Sequence, residues 1–135
     1  MSENQNIETI NSVYDAFGRG DVDAIIAVVA ADVDWGSDTA SDAAPWYGSR
    51  RGTEGVASFF TDFGAAMEVE EFTPLTFAAN GDDVLTVVRF RARSRATGKV
   101  AAMQLHHWFH FREGKIDYYR GTEDTAITAA TLGAS

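Results

Sequence analysis

The chain has no cysteine, which excludes disulfides, thiol nucleophiles and cysteine-ligated zinc, and fits a reducing compartment. Proline is scarce: there are two, with no low-complexity run and no internal repeat. That leaves no linker between folding units, so the 135 residues read as one domain spanning 1–135. A domain of this size buries about two thirds of the surface its unfolded chain exposes. Basic residues are in deficit, with 11 Lys and Arg against 20 Asp and Glu. The net charge of −9 repels phosphate backbones and anionic lipid heads, which sets aside nucleic acid and membrane as partners. The longest apolar run, AIIAVVAA (24–31), falls far short of the ~20 residues a membrane helix needs. The opening MSENQN lacks the basic and apolar segments of a secretory leader, and the expected location is cytoplasmic.

What is present is a globular composition, 45% hydrophobic, arranged in two halves. In the first half Ile7, Ile10, Tyr14 and Phe17 recur at helical spacing until Gly18 and Gly20. Asp21 is a natural N-cap for a second helix with Val22, Ile25, Ile26 and Val29 on one face. VDW (33–35) reads as a short strand, and residues 36–52 as a loop or irregular hairpin. Thr53 can cap a third helix striped by Val56, Phe59, Phe60, Phe63 and Met67.

The second half reads as strands over 69–79, 84–95, 100–112 and 116–122, with turns at NGDD (80–83), Thr97-Gly98 and Glu113-Gly114. A short helix over 124–132 closes the chain. Helices first and an antiparallel meander second predict an α+β fold, with helices on one face of a curved sheet.

All three histidines fall in LHHWFHF (105–111). On a helix His106 and His110 would share a face and could clasp a metal; on a strand His107 points the other way from both. The strand assignment puts Met103, Leu105, His107, Phe109 and Phe111 on the apolar face, and Gln104, His106, Trp108 and His110 on the outer one. No metal site is expected from them. Other motifs are equally sparse: Gly18-Arg19-Gly20 lacks the rest of a dinucleotide fingerprint, and GSRRG (48–52) lacks a phosphate-loop lysine.

With this order of elements, RGDVDAI (19–25), ADVDW (31–35), PWYG (45–48), GTEGVASFF (52–60), REGKIDYYR (112–120) and EDTA (123–126) carry a resemblance. The chain resembles the SnoaL-like and ketosteroid isomerase-related families of the nuclear transport factor 2-like superfamily. The resemblance implies a cone, a curved antiparallel or mixed sheet wrapped round helices with an apolar pocket between them. It also implies a homodimer through the outer sheet faces. It does not imply one chemistry, because the fold hosts enzymes, binding proteins and transport factors.

Carried over residue by residue, the isomerases' tyrosine position falls at Val13, with Tyr14 one step away. Their base position falls at Ser37, beside Asp38, and their oxyanion aspartate position at His107. Against the polyketide cyclases His107 meets a matching histidine, while the acidic catalyst falls on Gly121.

The candidate catalytic residues are therefore His107, Glu123, Asp38 and Tyr119. His107 is a hydrogen-bond or proton-transfer group on the pocket floor, or else a core histidine satisfied locally. The last strand places Asp117, Tyr119, Gly121 and Glu123 on one face, which the resemblance makes the pocket face. Glu123 is a base, an orienting partner for His107 or a rim carboxylate. Asp38 follows Trp35 by three and is a base or a solvated loop acid. Trp35, Trp46 and Tyr47 can wall a pocket for a ring-shaped ligand or anchor their loop. Tyr14, Phe63 and Met103 complete the expected substrate-binding set. Arg89, Arg91, Arg93 and Arg95 form a period-two row, read as cross-strand partners of Glu68, Glu70 or Glu71 or as a charged dimer edge.

Three functions fit. The first is a cofactor-free enzyme using acid–base chemistry (isomerisation, cyclisation or dehydration) on a small apolar or polycyclic molecule. The others are a non-catalytic binding protein with the same pocket and a dimeric interaction module.

Overall fold

The computed structural model describes residues 2–133; Met1 and the last two residues of the expected 1–135 domain lie outside them. Helix α1 (Glu3–Arg19) starts in a capping box, in which Ser2 Oγ accepts from the Gln5 amide while Gln5 Oε1 accepts from the Ser2 amide. It ends where Gly20 takes a left-handed φ of 69°, a conformation that costs glycine nothing. Asp21 caps the short α2 (Val22–Ile26), as its position predicts. Val29, expected on that helix, instead opens strand β1 (Val29–Gly36), so β1 is longer than the three residues its sequence suggested. The region read as a loop contains β2 (Ser49–Arg51), paired antiparallel to β1.

Helix α3 (Gly52–Ala66) begins one residue before the expected cap Thr53, with Arg51 at the N-cap and no side-chain cap. Met67, placed on the helix stripe by its spacing, starts β3 (Met67–Asn80). β4 (Asp83–Ser94), β5 (Val100–Arg112) and β6 (Lys115–Thr122) follow the predicted meander, and α4 (Thr125–Leu132) closes it behind the Asp124 cap.

The six strands form one mixed sheet in the order β2-β1-β6-β5-β4-β3, antiparallel except where β1 runs beside β6. This is the α+β cone expected, with α1 against β3 and β4 and α3 against β1. The alternation on β5 is as read: Ala101, His107, Phe109 and Phe111 are buried and Gln104, His106 and Trp108 exposed. β4 alternates in step, with Val84, Thr86, Val88 and Phe90 inward. The arginine row lies outside. Arg91 and Arg93 both bond Glu70, and Arg95 lies 3.5 Å from Glu68, so pairing with β3 carboxylates accounts for these three.

One parity expectation fails. An irregularity in the β5–β6 register pairs Phe111 with Ile116 but His110 with Tyr118. The extra residue, Asp117, is turned to the outer side, where it bonds His110 Nδ1 at 2.6 Å and Arg112. It does not share the inner face with Tyr119. Among the described residues no helix is long and apolar enough to cross a membrane.

Candidate functional site

Sheet register brings the site together. Phe77, Thr86, His107 and Gly121 are successive cross-strand partners over β3, β4, β5 and β6, forming a single row on the inner face. Above the row lies a cavity of about 100 Å³, several times what one water requires, so the cone is not filled by its own side chains. Its walls are mostly aromatic, with Phe17, Phe59, Phe60, Phe63, Phe72 and Phe90 among them.

His107 is 8% exposed. Burial disfavours its charged form, and the neighbouring His106 adds a smaller repulsion, so its pKa falls from 6.5 to about 3. The imidazole is neutral at physiological pH. Its Nδ1 lies 2.7 Å from the Tyr14 hydroxyl, which is itself 2.6 Å from Thr86 Oγ1. Burial holds the Tyr14 phenol well above its ordinary pKa, partly offset by the Thr86 bond, so Tyr14 keeps its proton.

Tyr119 reaches the row from β6. Its ring lies on Trp35 with centroids 4.2 Å apart and meets His107 edge-on at 5.3 Å. Burial first, then the proximity of Tyr14 and Glu123, raises its pKa far above the ordinary phenol range. Its hydroxyl lies over Gly121, where a Cβ would overlap it. The only sealed side-chain atoms without a bond, among the described residues, belong to Asn6, Asp34, Trp35 and Ser37. Neither His107 Nε2 nor Tyr119 Oη is among them, and neither bonds another described residue, so both open onto the cavity. Asp34 Oδ1 does have a charged neighbour, Arg120 Nη2 at 2.9 Å.

Glu123 lines the cavity at the end of β6 but is not hydrogen-bonded to His107. Its carboxylate accepts from Tyr47 Oη at 3.0 Å, from Thr128 Oγ1 in α4 and, at 3.4 Å, from Trp46 Nε1. The group thus ties the 37–48 loop to the closing helix. Burial and the Glu123 charge together hold the Tyr47 phenol above its usual pKa.

The other expected residues divide. Tyr14, Trp35, Trp46 and Phe63 line the cavity. Tyr47 stands one layer back, through its bond to Glu123. Met103 faces inward but lines a neighbouring surface groove with Ile127 and Glu123, not the cavity. Asp38 is 69% exposed and bonds Arg120 Nε at 2.9 Å, outside the cavity, so the base expected there is withdrawn. The isomerases' base position, Ser37, does line the cavity. Sequence reading missed Thr86, although the period-two pattern of β4 already set it on the face opposite the arginines.

The SnoaL-like domain profile matches residues 10–119. The chain belongs to the SnoaL-like domain family. Its fold is shared with an NTF2-like protein from Burkholderia xenovorans LB400, at 25% identity over 98% of this chain and 99% of that one, with a TM-score of 0.87. TerC, crystallised with polyporic acid, superposes with a TM-score of 0.84 at 22% identity, over 96% of this chain and 99% of its own. A protein from Jannaschia sp. CCS1, named as a candidate SnoaL-like polyketide cyclase, gives 0.81 at 16% identity over 98% and 94%. No curated protein matches the chain.

Proposed function

We propose that this chain binds a small, largely apolar molecule bearing a carbonyl or enolic oxygen and transforms it, without a cofactor, by proton transfer. The observation that carries this reading is the pairing of two neutral polar groups, His107 and Tyr119, on the floor of an aromatic cavity. In a dry site such donors stabilise oxygen as it gains negative charge, which is what enolisation demands. Isomerisation, cyclisation and dehydration all pass through such a state. Glu123 is the cavity's carboxylate and the group available to accept the substrate proton. The aromatic walls and the indoles of Trp35 and Trp46 suit a planar or polycyclic ligand, and TerC's crystallisation with polyporic acid adds support from a protein of the same fold.

A second reading, non-catalytic binding, is favoured by one feature. Glu123 already accepts from Tyr47, Thr128 and Trp46, which weakens it as a base. A homodimer through the outer sheet face is part of the proposal as well, supported by the exposed Trp108 and Leu85.

Quenching of the Trp35 and Trp46 fluorescence by a hydroxynaphthoquinone and by polycyclic ketones measures binding. Loss of α-proton signal from a bound ketone in D₂O measures proton transfer. Saturable quenching with exchange that disappears in His107→Ala is expected. Binding without exchange leaves the binding protein, and no binding by any probe overturns both readings.

A further inference from the structure

Thr86, Tyr14 and His107 form a chain of three groups that share three hydrogens, and those hydrogens can be counted. Neutral imidazole carries one N–H, on either nitrogen, and each hydroxyl carries one hydrogen. Among the described residues, the buried Thr86 hydroxyl meets only Tyr14, and Tyr14 in turn meets only Thr86 and His107 Nδ1. Suppose Nδ1 held the proton. It would donate to Tyr14, Tyr14 to Thr86, and the Thr86 hydrogen would end buried without an acceptor. With the chain running the other way, Thr86 donates to Tyr14, Tyr14 donates to Nδ1, and the imidazole N–H sits on Nε2, facing the cavity. Every hydrogen then has a place to go. A buried donor left unpaired is among the more costly defects a core can carry, whereas an acceptor with a spare lone pair is tolerated.

We infer that Tyr14, with Thr86 closing the chain behind it, is a positioning residue that locks His107 as the Nε2–H tautomer, so that the cavity is offered a hydrogen-bond donor and not a base. Tyr14 does this through His107; its own hydroxyl is engaged on both sides and is not presented to a ligand. The tautomer is a property of the ligand-free protein. Its consequence, that Nε2–H and the Tyr119 hydroxyl converge on an acceptor oxygen, rests on the function proposed above. A base at Nε2 would take a proton from a ligand, whereas this arrangement recognises carbonyl, enolate or phenolate oxygen. It also explains why a group so strongly neutralised by burial is useful. A neutral imidazole donates from Nε2 while Nδ1 is bare, and the Tyr14 hydrogen bond to Nδ1 favours that state.

Long-range ¹H–¹⁵N correlation of the imidazole rings in the ¹⁵N-labelled chain near neutral pH reads the tautomer directly, with the His107 signals identified by their loss in His107→Asn. The expected spectrum has Nδ1 unprotonated and Nε2 protonated. Tyr14→Phe removes the lock and lowers the preference for Nε2–H by about tenfold. Thr86→Val keeps the wild-type tautomer, because the Tyr14 hydrogen still has only Nδ1 to bond. A purely structural Tyr14 would leave the ratio untouched in Tyr14→Phe, and that result, or Nδ1–H in the wild type or in Thr86→Val, overturns the inference. Should Tyr14→Phe not fold, the wild-type and Thr86→Val spectra decide alone. The expected spectrum from a protein that binds neither the hydroxynaphthoquinone nor any polycyclic ketone would sink the proposed function and leave the tautomer assignment standing.

Discussion

The phenol of Tyr119 lies over the backbone of Gly121, where a Cβ would overlap its hydroxyl and approach within 3.1 Å of Cζ and 3.4 Å of His107 Cδ2. Residue 121 is also where the resemblance to polyketide cyclases would set an acidic catalyst. In this chain the absent side chain leaves room that the phenol fills, and a neutral donor stands where an acid would.

Gly121→Ala therefore forces Tyr119 off His107. We expect a stability loss of about 1–3 kcal/mol, the usual cost of an added methyl in a packed interior. Affinity for a hydroxynaphthoquinone should drop by at least about tenfold, the worth of one well-placed hydrogen bond to a charged oxygen. Thermal unfolding and fluorescence quenching measure the two effects. A Gly121→Ala protein with wild-type melting and wild-type affinity would remove Tyr119 from the site.

The buried His107 also sets a pH dependence. Its folded pKa of about 3 lies below the ordinary 6.5, so between those values the unfolded chain binds the extra proton. Stability from this group is complete above about pH 6.5 and is lost as the pH falls toward 3, by up to about 1.4 kcal/mol per pH unit. His110 acts oppositely. Asp117 raises its pKa, so its contribution is present in acid and fades as the pH rises through that raised value. Urea titrations of the wild type and His107→Asn at several pH values separate them. The slope between pH 6 and 4 should be shallower in the variant by nearly one proton; identical slopes would show His107 protonating freely in the native state.

Glu123 joins α4 to the 37–48 loop, where Tyr47 lies 76 positions away in sequence, so its removal should be felt at the cavity rim. Glu123→Ala leaves the donors of Tyr47, Thr128 and Trp46 without their acceptor, and we expect about 1–3 kcal/mol of destabilisation. Glu123→Gln keeps an acceptor oxygen and should recover part of that loss. The pair also separates two roles. If Glu123 takes a substrate proton, Glu123→Gln binds the quinone probe normally and fails in α-proton exchange; if it only ties the rim, exchange survives in proportion to binding.

Much of this was legible from periodicity. The row that holds His107 follows from strict alternation between two turns, because a pleated strand sends every second side chain to the same face. Asp21 was readable as a cap because a short carboxylate before a helix accepts local amide hydrogens. Asp117 was misread because one extra residue in β6 inverts the parity, and no composition signal marks an irregular register of this kind. Thr86 stayed hidden for another reason. Its importance is a matter of the Tyr14 hydroxyl 72 positions away in sequence, and alternation specifies a face but not a hydrogen-bond partner. Of the two readings of Asp38 the solvated loop acid holds and the base does not: loop residues follow no period, and the nearby Arg120 guanidinium captured it.

The outer sheet face carries the last prediction. Trp108 and Leu85 are direct cross-strand partners, 44% and 49% exposed, on the side facing away from the helices. Tyr118 meets the Trp108 ring edge-on at 5.1 Å, and the Arg120 guanidinium lies 4.5 Å over Tyr118, so this apolar surface is held in a defined shape. An aromatic side chain left outside yet braced on several sides is what a subunit contact requires. Trp108→Glu should place two like charges at the centre of the proposed dimer and weaken it by about 30-fold or more, the effect of losing one interface anchor. Sedimentation velocity should find a dimer for the wild type and a monomer for the variant at the same concentration. Because Trp108 points away from the cavity, quinone binding and the His107 tautomer should survive in that monomer. A wild-type chain that sediments as a monomer across the accessible concentration range would dispose of the dimer, and the exposed tryptophan would then need a different occupant.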